Sequence, residues 1–405
     1  MISCRFRKSG GMASAPRDNQ TGGEVVGLAE LVDMWNATRQ HAGSVMVHDP
    51  GGSGECMVRV GELVATPAQL ATVLPAIKRW VDGVEHLDAD RMARVRLRSS
   101  ERRRCVEIAS EFGLSPNHVH VGSAVLFGTP VLFGTGAVPS AASPPEPPAQ
   151  QLWDPPVTAA VLDTGLDPHP WFAARPWLSE WGLAPEVLDA DGLSGQDRQA
   201  GHGTFVAGVL LQHAPGVTIR HHRTLASTGL SDDLIVAGAL RTMRTTAAQR
   251  GSSIDVIVLA CGCYTAQDRC PPALVNEIAR YSDCTVVAAA GNGASARPFW
   301  PAALPEVLAV AATGAGGDLA TFSNHGDWVD AAAPGVDVVS SFVRMSDPDG
   351  VQREYTAAAW SGTSFAAPRV AAEVAALRRS GMDAASAREQ ACARSPVPGR
   401  PVAAP

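Results

Sequence analysis

The chain has 405 residues, 45% apolar and 18% charged, a composition that excludes a fibrous or disordered protein and leaves room for two domains. Its formal charge of −7 divides into +1 for residues 1–137 and −8 for residues 138–405, so neither part has the basic excess of a nucleic-acid-binding protein. No apolar run approaches the roughly 18 residues of a membrane-spanning helix, and the basic N-terminus has no apolar stretch behind it to make a secretory signal. A cytoplasmic protein with no nucleic-acid and no membrane partner is therefore expected.

Residues 1–23 are aperiodic and polar, and are expected to be disordered. Residues 24–137 predict a small α+β domain. Its helices fall at Leu28–His41, Pro67–Val81 and Arg102–Phe112, and its strands at Ser44–His48, Cys56–Ala65, Arg91–Arg98 and around His118–Phe133. Thr66-Pro67 reads as an N-cap followed by proline at the first helical position. The Arg-rich stretch from Arg91 to Arg104 reads as a solvated strand-and-helix face. VLFGT occurs twice, from Val125 and from Val131, a period too short for a solenoid and read as a local turn.

Between Val138 and Pro156, seven of 19 residues are proline, which suits an extended linker and marks the domain boundary. Beyond it, apolar runs alternate with helical segments as in the βαβ units of a parallel sheet. Strands are expected at Val157–Leu162, Val217–His221, Asp255–Leu259, Thr285–Ala290 and Val307–Ala311, and helices at His202–His213, Asp232–Arg250 and Ala273–Ser282. The fold class is α/β, a doubly wound, mainly parallel sheet over residues 157–395 with the smaller α+β domain before it and a disordered tail at 396–405. Eight cysteines are too few for a disulfide scaffold in a chain of this length. Four fall between Cys261 and Cys284 without the paired spacing of a zinc site, so buried thiols and no metal are expected, with a Cys263–Cys270 bridge as the alternative in an oxidising compartment.

Three short segments carry chemistry. Val157–Gly165 is a buried strand ending in Asp163-Thr-Gly, an acid at the carboxyl edge where α/β sheets form sites. Alone, Asp163 would be a turn cap, and an aspartic peptidase would need a second such acid, which is missing. Gly201-His202-Gly203-Thr204 opens a helix, and the flanking glycines point to close approach of backbone or substrate. Ser361-Gly-Thr-Ser364-Phe-Ala-Ala-Pro368 opens another, where a serine is ordinarily an N-cap.

Taken together, in the order Asp, His, Ser, these segments resemble the subtilisin family over about Val157–Arg379. Ala288-Ala-Ala-Gly-Asn292, Trp300–Pro305, Phe322–Gly326 and Ala333-Pro-Gly335 add to the likeness. The resemblance implies a serine endopeptidase without cofactor acting on a peptide or protein substrate. Ser364 would be the nucleophile, His202 its base and then the acid for the leaving amine, and Asp163 the group that holds the imidazole tautomer. Asn292 would donate to the oxyanion alongside the backbone N–H of Ser364.

Further residues follow from the same resemblance. Ala260, Cys261 and Gly262 align with the edge that pairs with substrate backbone, and Ala289, Ala290 and Gly291 with the walls of the specificity pocket. Such small residues imply a roomy, uncharged pocket, with Phe299 and Trp300 at one rim. Two positions depart from the family pattern: Phe205 replaces a second histidine and is expected to pack near the site, and Phe365 is a bulky apolar replacement for a methionine. The run from Gly208 to Val217 has no insertion that would hold calcium. Residues 24–137 correspond by position to an inhibitory prodomain, with a regulatory or partner-binding domain as the other reading. A catalytically inactive peptide-binding module on the same fold is the alternative for the whole chain.

Overall fold

The computed structural model describes residues 32, 36, 44–87, 91–122, 139–190, 195–346 and 352–399. The expected disorder at 1–23 and the VLFGT pair lie outside these residues, and the helix expected at Leu28–His41 is described only at Val32 and Asn36, both helical. Five strands build the N-terminal part: β1 (Val45–His48), β2 (Cys56–Ala65), β3 (Val81–Leu87), β4 (Met92–Leu97) and β5 (Ser115–Gly122). Helices Pro67–Ile77 and Cys105–Phe112 accompany them. Thr66 starts the first helix through a capping box, its hydroxyl accepting the Gln69 N–H while Gln69 Oε1 accepts the Thr66 N–H. That helix ends at Ile77, short of Val81, and β3 goes unforeseen because VDGVEHL is largely polar and nowhere fully buried. Arg94 and Arg96 pair with Glu85 across β3 and β4, so this basic stretch is a solvated strand face as expected.

The proline-rich segment is extended but is not a free spacer. Its β6 (Ser140–Ala142) pairs with a strand of the following body, the Trp153 N–H donates to the Gly216 carbonyl, and Arg175 donates to the Ala149 carbonyl. Proline removes donors but leaves carbonyls, so such a segment can still be held at an edge.

The body that follows contains β7 (Thr158–Asp163), β8 (Thr218–Arg223), β9 (Leu230–Asp232), β10 (Val256–Leu259), β11 (Cys261–Gly262) and β12 (Thr285–Ala289). It continues with β13 (Val307–Thr313), β14 (Ala331–Pro334), β15 (Val338–Met345) and β16 (Arg353–Trp360). Six of these form a wholly parallel sheet in the order β14-β13-β12-β10-β7-β8. Successive side chains on a strand face opposite ways, and both faces here are apolar. Ala159, Val161, Val258, Val287 and Val310 pack with helices His202–His213 and Thr363–Arg379. Ala160, Leu162, Ile257, Val286 and Ala309 pack on the other face with helices Asp233–Gln249 and Pro272–Ile278. This is the doubly wound arrangement expected, with Asp232 serving as the N-cap of its helix rather than its first residue. β15, β16 and β6 make a separate antiparallel sheet.

One strand belongs to both parts. β5 pairs antiparallel with β2 in its own domain, and also with β9 and β11 of the second body. Val121 lies opposite both Leu230 and Gly262, and Gly122 opposite Cys261. The apolar core follows the strand across, joining Val119 and Val121 to Leu230, Tyr264 and Phe299.

Candidate active site

Asp163 is the last residue of β7, and the helix carrying His202 begins directly against it. That approach requires glycine: a Cβ on Gly203 would stand 2.2 Å from the Gly165 carbonyl oxygen and 3.0 Å from the Asp163 Cβ. Gly201, with φ of 90°, turns the chain into the helix in a conformation that L side chains rarely adopt. His202 Nδ1 lies 2.7 Å from Asp163 Oδ1, and both side chains are buried. An ionised carboxylate only accepts, so Nδ1 carries the proton and Nε2 is left as a base. Nε2 is buried and has no hydrogen-bond partner. Trp360 meets the imidazole edge-on at 5.3 Å, and Phe365 lies at the same distance, with Phe205 tilted against Phe365 at 4.5 Å. Phe365 and Trp360 therefore wall the histidine, and Phe205 packs near the site, as expected, by backing both rings.

Ser364 is the second residue of helix Thr363–Arg379 and is fully buried. Its Oγ donates to the Ala260 carbonyl at 2.9 Å, at the end of β10, rather than to His202. Asn292 stands three residues beyond β12. Its Oδ1 accepts from both the N–H and the hydroxyl of Thr363, at 3.0 and 2.8 Å. With its oxygen so occupied, the amide is oriented beside the serine with its donor end in a known direction.

Ala260, Cys261, Ala289 and Gly291 line a small cavity together with Asn292 and Thr363. Gly262 is engaged in pairing with Val121, and Ala290 packs away with Ala311, Val329 and Ala332, so neither lines it. The pocket is not as roomy as its small residues imply. Tyr264 and Phe299 also line it, and a Cβ on Gly262 or Gly291 would collide with the Phe299 ring at 2.4 or 2.9 Å. Trp300 is not among its walls. Val121 and Gly122 of β5 border the same cavity.

Sequence reasoning missed two supporting groups. Asn324, buried within the Phe322–Gly326 segment, accepts from the N–H groups of Gly293 and Ser295 and from Tyr264, and donates to the Ala290 carbonyl at 2.7 Å. It clamps the loop that presents Asn292. Glu186, with no regular element to announce it, accepts from the N–H and hydroxyl of Thr204 behind the histidine. Burial pushes its carboxyl up from 4.5 to about 7, with Asp163 and Asp167 nearby adding to the rise. A proton held more tightly in the folded state favours folding at low pH. Glu186 thus contributes stability that is full below pH 4.5 and lost as pH rises through 7, on the order of 3 kcal/mol. Denaturant unfolding at pH 5 and pH 8 should show this loss in the wild type, and Glu186→Gln should flatten it.

The seven described cysteines are free thiols, so no Cys263–Cys270 bridge forms. Burial raises the Cys261 and Cys263 thiols. Among the described residues, the donor atoms of His120, Asp233 and Cys263 form the only group near enough to share a metal ion, all within 4.8 Å. The 2.8 Å separation of His120 and Asp233 is already that of a hydrogen bond. No helix among the described residues is long and apolar enough to cross a membrane.

A doubly wound sheet that brings an Asp–His pair, a helix-start serine and a clamped asparagine to one edge defines a class of hydrolase-like site. The subtilase family profile matches residues 155–391, and the chain belongs to that family. The chain is 33% identical over 235 residues to the thermophilic serine proteinase of Bacillus sp. (strain AK1), covering 55% of this chain and 52% of that protein. It is 30% identical over 255 residues to thermitase of Thermoactinomyces vulgaris, covering 59% and 82%. The match thus spans about half the length of the first of these and most of the second. A crystal structure of a cold adapted subtilisin-like serine proteinase aligns with 63% of this chain and 88% of its own at 26% identity, with a TM-score of 0.44.

Proposed function

We propose that the chain is a serine endopeptidase whose N-terminal domain, residues 24–137, inhibits the catalytic domain at 157–395. The buried His202–Asp163 pair carries the reading, since it orients Nε2 as a base that no protein group occupies. Rotation of Ser364 about χ1 would release its Oγ from the Ala260 carbonyl and free its proton for that base. Attack on a substrate carbonyl then transfers the Ser364 proton to His202, and His202 returns it to the departing amine. The developing oxyanion would be met by the Asn292 amide and the Ser364 N–H, reinforced by the helix N-terminus.

The inhibitory role is supported by β5, which adds itself as a strand between β9 and β11 in the manner of an extended peptide on a sheet edge. A fluorophosphonate probe tests the peptidase reading. Covalent labelling that vanishes in Ser364→Ala supports it. No labelling, even with β5 displaced, would point instead to a peptide-binding module.

A further inference from the structure

β5 brings more than backbone to the cleft. His118 and His120 are two residues apart and so share one face of the strand, opposite Val119 and Val121. Both reach Asp233, the first residue of helix Asp233–Gln249. His120 Nε2 lies 2.8 Å from Asp233 Oδ1, His118 Nδ1 lies 3.0 Å from Oδ2, and the His118 backbone N–H donates to Oδ2 at 2.8 Å. Asp233 has no exposed surface, and all three partners come from the strand that fills the cleft. Burial alone would raise the carboxyl, but the facing His118 and His120 outweigh it and hold the group below the usual carboxylate range. An ionised acid covered in this way needs a donor, and a peptide that takes the place of β5 and covers Asp233 again would have to supply one.

We infer that Asp233 is a specificity determinant, selecting peptides with histidine, lysine or arginine at the position that His120 takes in β5. The inference rests on the peptidase reading and names the substrate class for that site. The basic side chain would lie one residue before the one that pairs with Gly262, on the acyl side of the bond to be cut. His118 marks a second such position two residues earlier. The neighbouring Asp232 adds negative charge there, although its own carboxylate caps the helix and pairs with Arg59 at 2.8 Å.

The test uses the full chain carrying His118→Ala and His120→Ala, which strips β5 of its grip on Asp233 and leaves the acid in place. Internally quenched peptides built on Asn117–Ala124 are offered with His, Lys, Arg, Ala or Leu at the position of residue 120. A charge-assisted hydrogen bond in a buried site predicts kcat/KM about 10- to 100-fold higher for the basic peptides than for Ala or Leu. Adding Asp233→Asn should bring that ratio to near one, and Asp233→Ser provides the same reading if the amide variant does not fold. Equal rates for basic and apolar peptides, or a preference that persists without the Asp233 carboxylate, would overturn the inference alone. Failure of the fluorophosphonate to label Ser364 when Val121→Pro is added to displace β5 would instead remove the peptidase reading beneath it.

Discussion

His202→Ala is expected to lower kcat by about 10⁶-fold, and Ser364→Ala by a similar factor, with little further loss when the two are combined. The reason is that the serine hydroxyl is inert without a base, and the base has nothing to activate without the serine. Asp163→Asn should cost less, roughly 10⁴-fold, because it presents His202 in the wrong tautomer but leaves the ring in place. Here the aromatic wall of Trp360 and Phe365, backed by Phe205, would keep the ring positioned. On the proposed mechanism, Asn292→Ala would remove one oxyanion donor and should cost about 10²–10³-fold in kcat with a small change in KM. Steady-state kinetics on an enzyme freed of β5 gives this ranking. A kcat for His202→Ala within tenfold of wild type would refute the assignment.

Displacing β5 should have the opposite sign. Val121 faces Leu230 on one side and Gly262 on the other, so proline there removes a donor in the middle of a three-stranded pairing. Val121→Pro in the full chain is expected to speed fluorophosphonate labelling of Ser364 by tenfold or more. Gly122→Leu approaches the same end by crowding, since even a Cβ would stand 3.1 Å from Gln199 Oε1 and 3.3 Å from Leu225. Labelling at the wild-type rate in both variants would mean that β5 does not govern access to the serine.

How much of this was legible beforehand differs by residue. Asp163, His202, Ser364 and Asn292 stood out because each is tied to backbone demands that leave a local trace, such as Gly203 against Gly165 or proline four residues after the serine. The parallel strands were legible because burial on both faces makes them continuous apolar runs. β9 and β11 were not: they are three and two residues long, and exist only because β5 lies between them, over 100 residues away in sequence. The size of the pocket was hidden for a related reason. Tyr264 and Phe299 reach it from loops, and their rings, 5.1 Å apart, meet only in the fold. Asp233 went unremarked for the same reason, since the two histidines that hold it come from β5, over 100 residues away.

The proline-rich segment has a bearing on how inhibition would end. Because β6 and Trp153 are fastened to the following body, the sequence that joins β5 to that body lies between Gly122 and Ser140 and is not the whole 138–156 run. If β5 inhibits as proposed, its competition with substrate is intramolecular while that joining sequence is intact, and so independent of protein concentration. A single cut within it would leave β6 where it is and turn the N-terminal domain into a separate molecule, whose hold on the cleft then depends on dilution. Activity after such a cut should rise as the protein is diluted, whereas the uncut chain should be indifferent to its own concentration.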